Sequence, residues 1–193
     1  MISKPHKQID FKLLTLFMIV ITGAMEMDIF TPSIPDIRTF FGITVSKVQL
    51  LLTLNFLFYS FATLMVGPLA EKYGNRNVML SSLFLFVIGS VLCVLGQNFN
   101  VLLAGRILQG AGMSAPNALA FVIVYNDYPH KKEVYSGLLM GVSGMAMGIA
   151  PVIGAYVNCN LGWVFNFYAL LLLGIIALHM SFYKLSKDEN NMI

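Results

Sequence analysis

Apolar residues fill this chain in six long runs separated by short polar breaks, at about 11–31, 46–69, 77–96, 101–125, 135–157 and 162–183. A bilayer core about 30 Å thick needs roughly 20 mostly apolar residues per crossing helix, and each run meets that length. Segments in lipid must satisfy their backbone internally, as helices or as strands of a closed barrel. Barrel strands are about ten residues long and alternate in polarity, whereas a run such as "LFLFVIGSVLCVLG" does not alternate. The pattern predicts an all-α integral membrane protein. Its six-helix bundle spans 11–183, with a short segment at 1–10 before it and a tail at 184–193.

Composition and charge refine this picture. The chain is 58% hydrophobic and 11% charged, against roughly a quarter charged in a soluble domain, and no stretch is left over for one. Lys4, His6, Lys7 and Lys12 precede the first run as they would in a signal peptide. That run is too long, and "MEMDIF" stands where a small-residue cleavage site would be, so a retained first span is expected. Nine basic residues lie at the N-terminus, the second and fourth breaks and the tail (Lys4, Lys7, Lys12, Lys72, Arg76, Lys131, Lys132, Lys184, Lys187), and the alternate breaks hold Arg38 and Lys47 alone. Because basic loops stay inside, both termini are expected in the cytoplasm. This topology explains the basic balance without a nucleic-acid partner. Cys93 and Cys159 both fall towards the outer side; a disulfide is one option in an oxidising compartment, and two small buried residues are the expected reading. No metal, haem or nucleotide site is visible, so no cofactor is expected.

The informative residues are the polar ones inside the spans. A charge at mid-bilayer costs roughly 3 kcal/mol on insertion scales, so it usually faces a cavity or a partner. Glu26, Asp28 and Arg106 are such residues. At about 100° per residue, Glu26 and Asp28 point to nearly opposite sides of their helix. Glu26 continues a stripe through Thr15 and Thr22, and Asp28 stands nearer the outer end. Arg106 shares a face with Gly110, Met113 and Asn117. It either snorkels to the interface or faces an internal cavity, where it would bias a carboxylate.

Gln49, Thr53, Ser60 and Thr63 share one face of the second span, with Asn55 and Tyr59 beside it. A single hydroxyl there can bond its own backbone, but four polar side chains on one face predict a wet or helix-contacting surface. Gln49, Thr53 and Asn117 are therefore expected to line a cavity. In the fifth span Gly137, Gly141, Gly144, Gly148, Pro151 and Ala155 fall on one side. Small residues so spaced let two helices approach closely in lipid, and a proline bends its helix, so this seam is expected to be both packing surface and hinge.

Four motifs on successive spans carry a resemblance. "GPLAEKYGNRNVML", from Gly67 to Leu80 and including Glu71, Gly74 and Arg76, resembles the loop signature of the major facilitator superfamily. "LLAGRILQGAG" is similar to its fourth-span motif, with Arg106, Gln109 and Gly110 matching. "AMGIAPVIGA", which holds Gly148, Pro151 and Gly154, resembles the fifth-span motif of its drug–proton antiporters. "MDIFTPSIP" is similar to the first-span end of the bicyclomycin-resistance (Bcr/CflA) branch. Some positions depart from the pattern: Glu71 stands where aspartate is usual, and Asn75 where a basic residue is common.

The resemblance implies the N-terminal six-helix half of a transporter in the cell (inner) membrane. It further implies proton-coupled efflux of small lipophilic or cationic drugs by alternating access. Expected partners are membrane lipid, a drug, protons, and a second six-helix half or a second copy of the chain. Asp28 is expected to handle the proton or substrate, with Glu26 as a second cavity acid and Arg106 tuning both. Burial favours the neutral form of such an acid and a nearby cation favours the charged one. Gly67 and Gly74 would permit tight turning, and Glu71 would pair with Arg76 or sit at a helix N-terminus. Two rival readings stand beside this one. The chain is an inactive truncated remnant or one subunit of a split or homodimeric transporter; or "GVSG" at Gly141–Gly144 resembles a rhomboid protease, with Ser143 as nucleophile and His179 as base.

Overall fold

The computed structural model describes residues 11–185. The expected terminal segments, with Lys4, Lys7 and Lys187, lie outside the described residues, apart from the last positions before 185. All regular structure is helical: α1 (Phe11–Asp28), a 3-10 turn (Thr31–Ser33), α2 (Ile34–Phe41), α3 (Val45–Tyr73), α4 (Asn75–Val94), α5 (Phe99–Asp127), α6 (Lys132–Leu161) and α7 (Val164–Lys184). Six segments among the described residues are long and apolar enough to cross a membrane, the first being Phe11–Phe41 taken together.

The breaks follow from local chemistry. Pro32 has no N–H to give the Asp28 carbonyl, so the α-ladder of α1 stops there and one tighter turn takes over. Pro35 is then accommodated in the first turn of α2, where its missing donor costs nothing. Thr44 caps α3, its hydroxyl accepting from the Lys47 N–H at 3.3 Å, and the Asn98 side chain does the same for α5 at 2.9 Å. Gly74, with φ of +83°, joins α3 directly to α4, a backbone state that favours glycine.

α1 and α5 form the interior. In their apolar windows 56% and 61% of residues are buried, against 17% in α3 and in α6. One core cluster joins Leu16, Ile19 and Val20 of α1 to Leu83, Leu119 and Val124. A second gathers Ile29, Phe30, Leu51, Phe86, Met113 and Phe167. The most extensive helix contact is between α4 and α5, and glycines let the two backbones approach. A Cβ added at Gly89 would lie 2.7 Å from the Gln109 nitrogen and 2.8 Å from the Gly105 oxygen, and one at Gly112 would lie 2.8 Å from the Phe86 Cα.

The glycine seam expected on α6 is different. Gly137, Gly141, Gly144 and Gly148 have no heavy atom within 4 Å of a Cβ built on them. Their side of α6 has no partner helix among the described residues, so the stripe is an outward face of this bundle. Only Gly154 makes the expected close approach, against the Ile29 carbonyl.

Candidate functional site

Glu26, Asn55, Ser90, Arg106 and Gln109 come from four helices and are all at most 1% exposed. Arg106 lies wholly inside, which excludes snorkelling. Its Nη1 donates to Glu26 Oε1 at 2.8 Å and to Gln109 Oε1 at 2.9 Å. The Gln109 amide is itself oriented, because its Nε2 donates to Ser90 Oγ at 2.9 Å and Ser90 donates on to the Phe86 carbonyl at 2.9 Å. Cys93 Sγ reaches Gln109 Oε1 at 3.4 Å. Phe30, delivered by the turn after α1, lies across the guanidinium with its ring centre 4.1 Å away, a cation–π contact strengthened by the dry surroundings.

Asn55 ties α3 into the same site. Its Nδ2 donates to Glu26 Oε1 at 2.7 Å and to the Arg106 carbonyl at 2.8 Å. Gly110 makes this approach possible, since a Cβ there would stand 3.0 Å from Asn55 Nδ2 and would strike the Asn55 carbonyl. Glu26 Oε2, Asn55 Oδ1 and Arg106 Nε and Nη2 are buried without a hydrogen-bond partner. A charge pair this deep is held only while both partners remain, because losing one leaves an uncompensated buried charge.

The other expected site residues divide into those near this cluster and those away from it. Asp28 is half-buried and is not joined to Arg106; among the described residues the cation pairs with Glu26 alone. Thr15 and Thr22, in the Glu26 stripe, donate to carbonyls of their own helix at 2.8 and 2.7 Å. Asn117 is half-buried, donates to Tyr59 Oη at 3.4 Å, and lies against Gly23, where a Cβ would come 2.7 Å from its Cγ. Gln49 and Thr53, expected to line a cavity, are exposed on the outer face of this bundle. α3 instead turns Val48, Leu51 and Asn55 inward, which leaves the hydroxyl face outside, where Ser60 and Thr63 bond their own backbone.

In the loop motif, Gly67 stands in open space and Glu71 is exposed. The expected Glu71–Arg76 pair is not formed. Arg76 donates from Nε to the Leu185 carbonyl at 2.8 Å and from Nη2 to the Phe182 carbonyl at 2.9 Å. It thereby caps the C-terminal end of α7, where a cation is favoured by the helix dipole. Pro151 is half-buried inside α6. Cys93 is buried, but Cys159 is exposed, and both are free thiols. An apolar groove of about 260 Å³ runs between α1 and α6, with Ile21, Met25, Met145 and Ile149 in its walls. Ile21, Met25 and Asp28 follow one another at helical spacing on α1, so the acid shares the side of α1 that carries two groove-lining residues, though it is not itself part of the lining.

Sequence reasoning passed over Asn55, Ser90 and Phe30 as members of the site. The available signal was the inward stripe Val48–Leu51–Asn55, an amide placed where an apolar residue belongs.

The model of the Major Facilitator Superfamily matches residues 16–191. The chain belongs to the major facilitator superfamily. Among curated members, it is 31% identical over 164 residues to an uncharacterised MFS-type transporter, YdgK, of Bacillus subtilis, a match covering 83% of this chain and 41% of the relative. It is 33% identical over 157 residues to a chloramphenicol resistance protein of Pseudomonas aeruginosa, covering 80% and 37%. It is 31% identical over 179 residues to the riboflavin transporter RibZ of Clostridioides difficile, covering 89% and 39%. The chain thus spans about two fifths of the length of these relatives.

Superfamily membership makes this a multi-pass membrane protein of a transporter family and not an enzyme. The protease reading finds no support in the geometry either. His179 is exposed with its ring against Tyr183 at 4.7 Å, and Ser143, half-buried on α6, has no hydrogen bond to it.

Proposed function

We propose that this chain forms the N-terminal six-helix half of a proton-coupled exporter of small lipophilic or cationic drugs, of the Bcr/CflA type. The observation that carries the reading is the fully buried Glu26–Arg106 pair, with Asn55 and Gln109 bonded to it. An acid held there by one cation has two states of very different energy, because opposite charges attract strongly where water is excluded. When a proton neutralises Glu26, Arg106 loses its counter-charge and the link between α1 and α5 weakens. Release of the proton restores it. That alternation is what a proton-driven change of access requires.

Asp28, half-buried on the side of α1 that carries the groove residues Ile21 and Met25, is the acid we assign to the cationic group of a substrate. The groove walls would take the apolar part. The names of relatives support a drug substrate: a chloramphenicol resistance protein and multidrug resistance proteins. The weakly buried faces of α3 and α6, with the open stripe from Gly137 to Gly148, support a second six-helix half as partner. Lys72, Arg76, Lys131 and Lys132 lie at one end of the bundle, which supports cytoplasmic termini in a cell (inner) membrane.

The test is uptake of a fluorescent lipophilic cation into inside-out vesicles from cells producing the protein. Acidifying the lumen should drive accumulation, an uncoupler should collapse it, and Glu26→Gln should remove it. Uptake indifferent to the uncoupler and to Glu26→Gln would overturn the reading.

A further inference from the structure

We propose that the Asn55 side-chain amide recognises the protonated form of Glu26 by pairing with it as a primary amide pairs with a carboxylic acid. One bond of that pair is already present, and the second forms when the proton arrives. The proposal rests on the reading that Glu26 is the proton-binding acid, and adds the atom that takes the proton and the residue that senses it.

The two oxygens of Glu26 are not equivalent. Oε1 accepts from Asn55 Nδ2 at 2.7 Å and from Arg106 Nη1 at 2.8 Å. Oε2 is buried and has no partner. With Oε1 committed to two donors, Oε2 is the atom free to take a proton. Asn55 repeats this asymmetry: Nδ2 is committed twice, to Glu26 Oε1 and to the Arg106 carbonyl, and Oδ1 is buried without a partner.

The orientation of the amide is set by its surroundings. Turned over, it would aim its oxygen at a carboxylate and a backbone carbonyl, both acceptors. In the charged state Oε2 and Oδ1 are therefore two acceptors on side chains already joined through their other atoms, neither bonded to a donor although Arg106 Nε and Nη2 are unpartnered too, an arrangement that is costly when buried. Protonation supplies that donor. Hydronium gives its proton to Oε2, an O–H bond forms, water is left, and the Glu26–Arg106 pair passes from neutral to a single positive charge. The new hydroxyl donates to Asn55 Oδ1, closing a ring of two hydrogen bonds.

The consequence is directional. Protonation weakens the charge link from α1 to α5 and doubles the hydrogen-bond link from α1 to α3. Arg106 from α5 is the charged group in contact with Glu26. α3 contributes the neutral Asn55, α4 reaches the network through Ser90 and Cys93, and Asp28 stands two residues further along α1. Neither α6 nor α7 brings a charged or titratable side chain into hydrogen-bond contact with Glu26 among the described residues.

Infrared difference spectroscopy of the purified protein between neutral and acid pH tests this. The probe is the proton alone, with asparagine labelled with carbon-13 at its side-chain carbonyl. A carboxylic-acid carbonyl band should appear on acidification and be lost in Glu26→Gln. A labelled asparagine amide band should shift in the same step and stay still in Glu26→Gln. Asn55→Leu, similar in volume but without the amide, should move the Glu26 band to higher frequency. If no acid band is lost in Glu26→Gln, the underlying assignment of the proton to Glu26 fails, and this proposal with it. If the Glu26 band is present but the asparagine signal does not follow it, the pairing alone is overturned. That second measurement uses wild-type protein and decides the matter even where Asn55→Leu does not fold.

Discussion

Replacing Glu26 by alanine removes the acceptor shared by Arg106 and Asn55 and leaves a fully buried guanidinium. Losing one partner of a buried pair costs about 3–5 kcal/mol. Arg106 would keep the Gln109 oxygen at 2.9 Å, the Glu26 backbone carbonyl at 3.4 Å and the face of Phe30, so the lower end, about 3 kcal/mol, is expected. For a chain of this size each kcal/mol moves Tm by about 2–4 °C, giving a fall of about 6–12 °C. Arg106→Met alone leaves a buried carboxylate and should cost a similar amount. The double variant leaves neither charge and should cost clearly less than the sum of the two, the signature of a coupled pair. The assay is thermal unfolding in mild detergent followed with a thiol-reactive dye. In a Cys159→Ser background Cys93, which is fully buried, reports the opening of the core. Simple additivity of the two single variants, or a fall below about 2 °C for each, refutes the reasoning.

Other expectations follow from the same geometry. Gly89→Ala should lower stability by about 1–3 kcal/mol, because its Cβ would meet the backbone of α5. Gly144→Ala meets nothing and should raise it by up to about 1 kcal/mol through helix propensity; the two Tm values checked side by side decide. Arg76→Ala removes two bonds to α7 carbonyls and should speed hydrogen exchange in the last turn of that helix while leaving α1 and α5 protected. A membrane-impermeant maleimide should label Cys159 in the folded protein and leave Cys93 unmodified until denaturant is added.

The six spans were legible because a length of apolar residues is a demand of the bilayer that any single run states by itself. The three ionisable residues were legible for the same reason, as departures from it. What one chain position cannot state is who stands opposite. Arg106 was compatible with either the interface or the interior, and the choice was made by Phe30 closing over it and Glu26 reaching it. The glycines of α6 carried the clearer spacing, yet the close approach is made by Gly89, Gly105 and Gly112, because α4 and α5 face each other and the α6 stripe faces outward. Arg76 was read against its sequence neighbour Glu71, and its true partners are more than a hundred residues away. Asn55 was overshadowed by four hydroxyl-bearing or amide residues on the neighbouring face of its helix, which prove to be exposed.

Proton coupling turns on which acid the proton binds, and the most direct measurement is drug-triggered proton release from the purified protein, read with a pH-sensitive dye in weakly buffered detergent solution. A burst of protons on adding a lipophilic cationic drug, abolished by Glu26→Gln and kept at saturating drug by Asp28→Asn, is the result predicted from the Glu26–Arg106 pair. Release that survives Glu26→Gln and disappears in Asp28→Asn would contradict it.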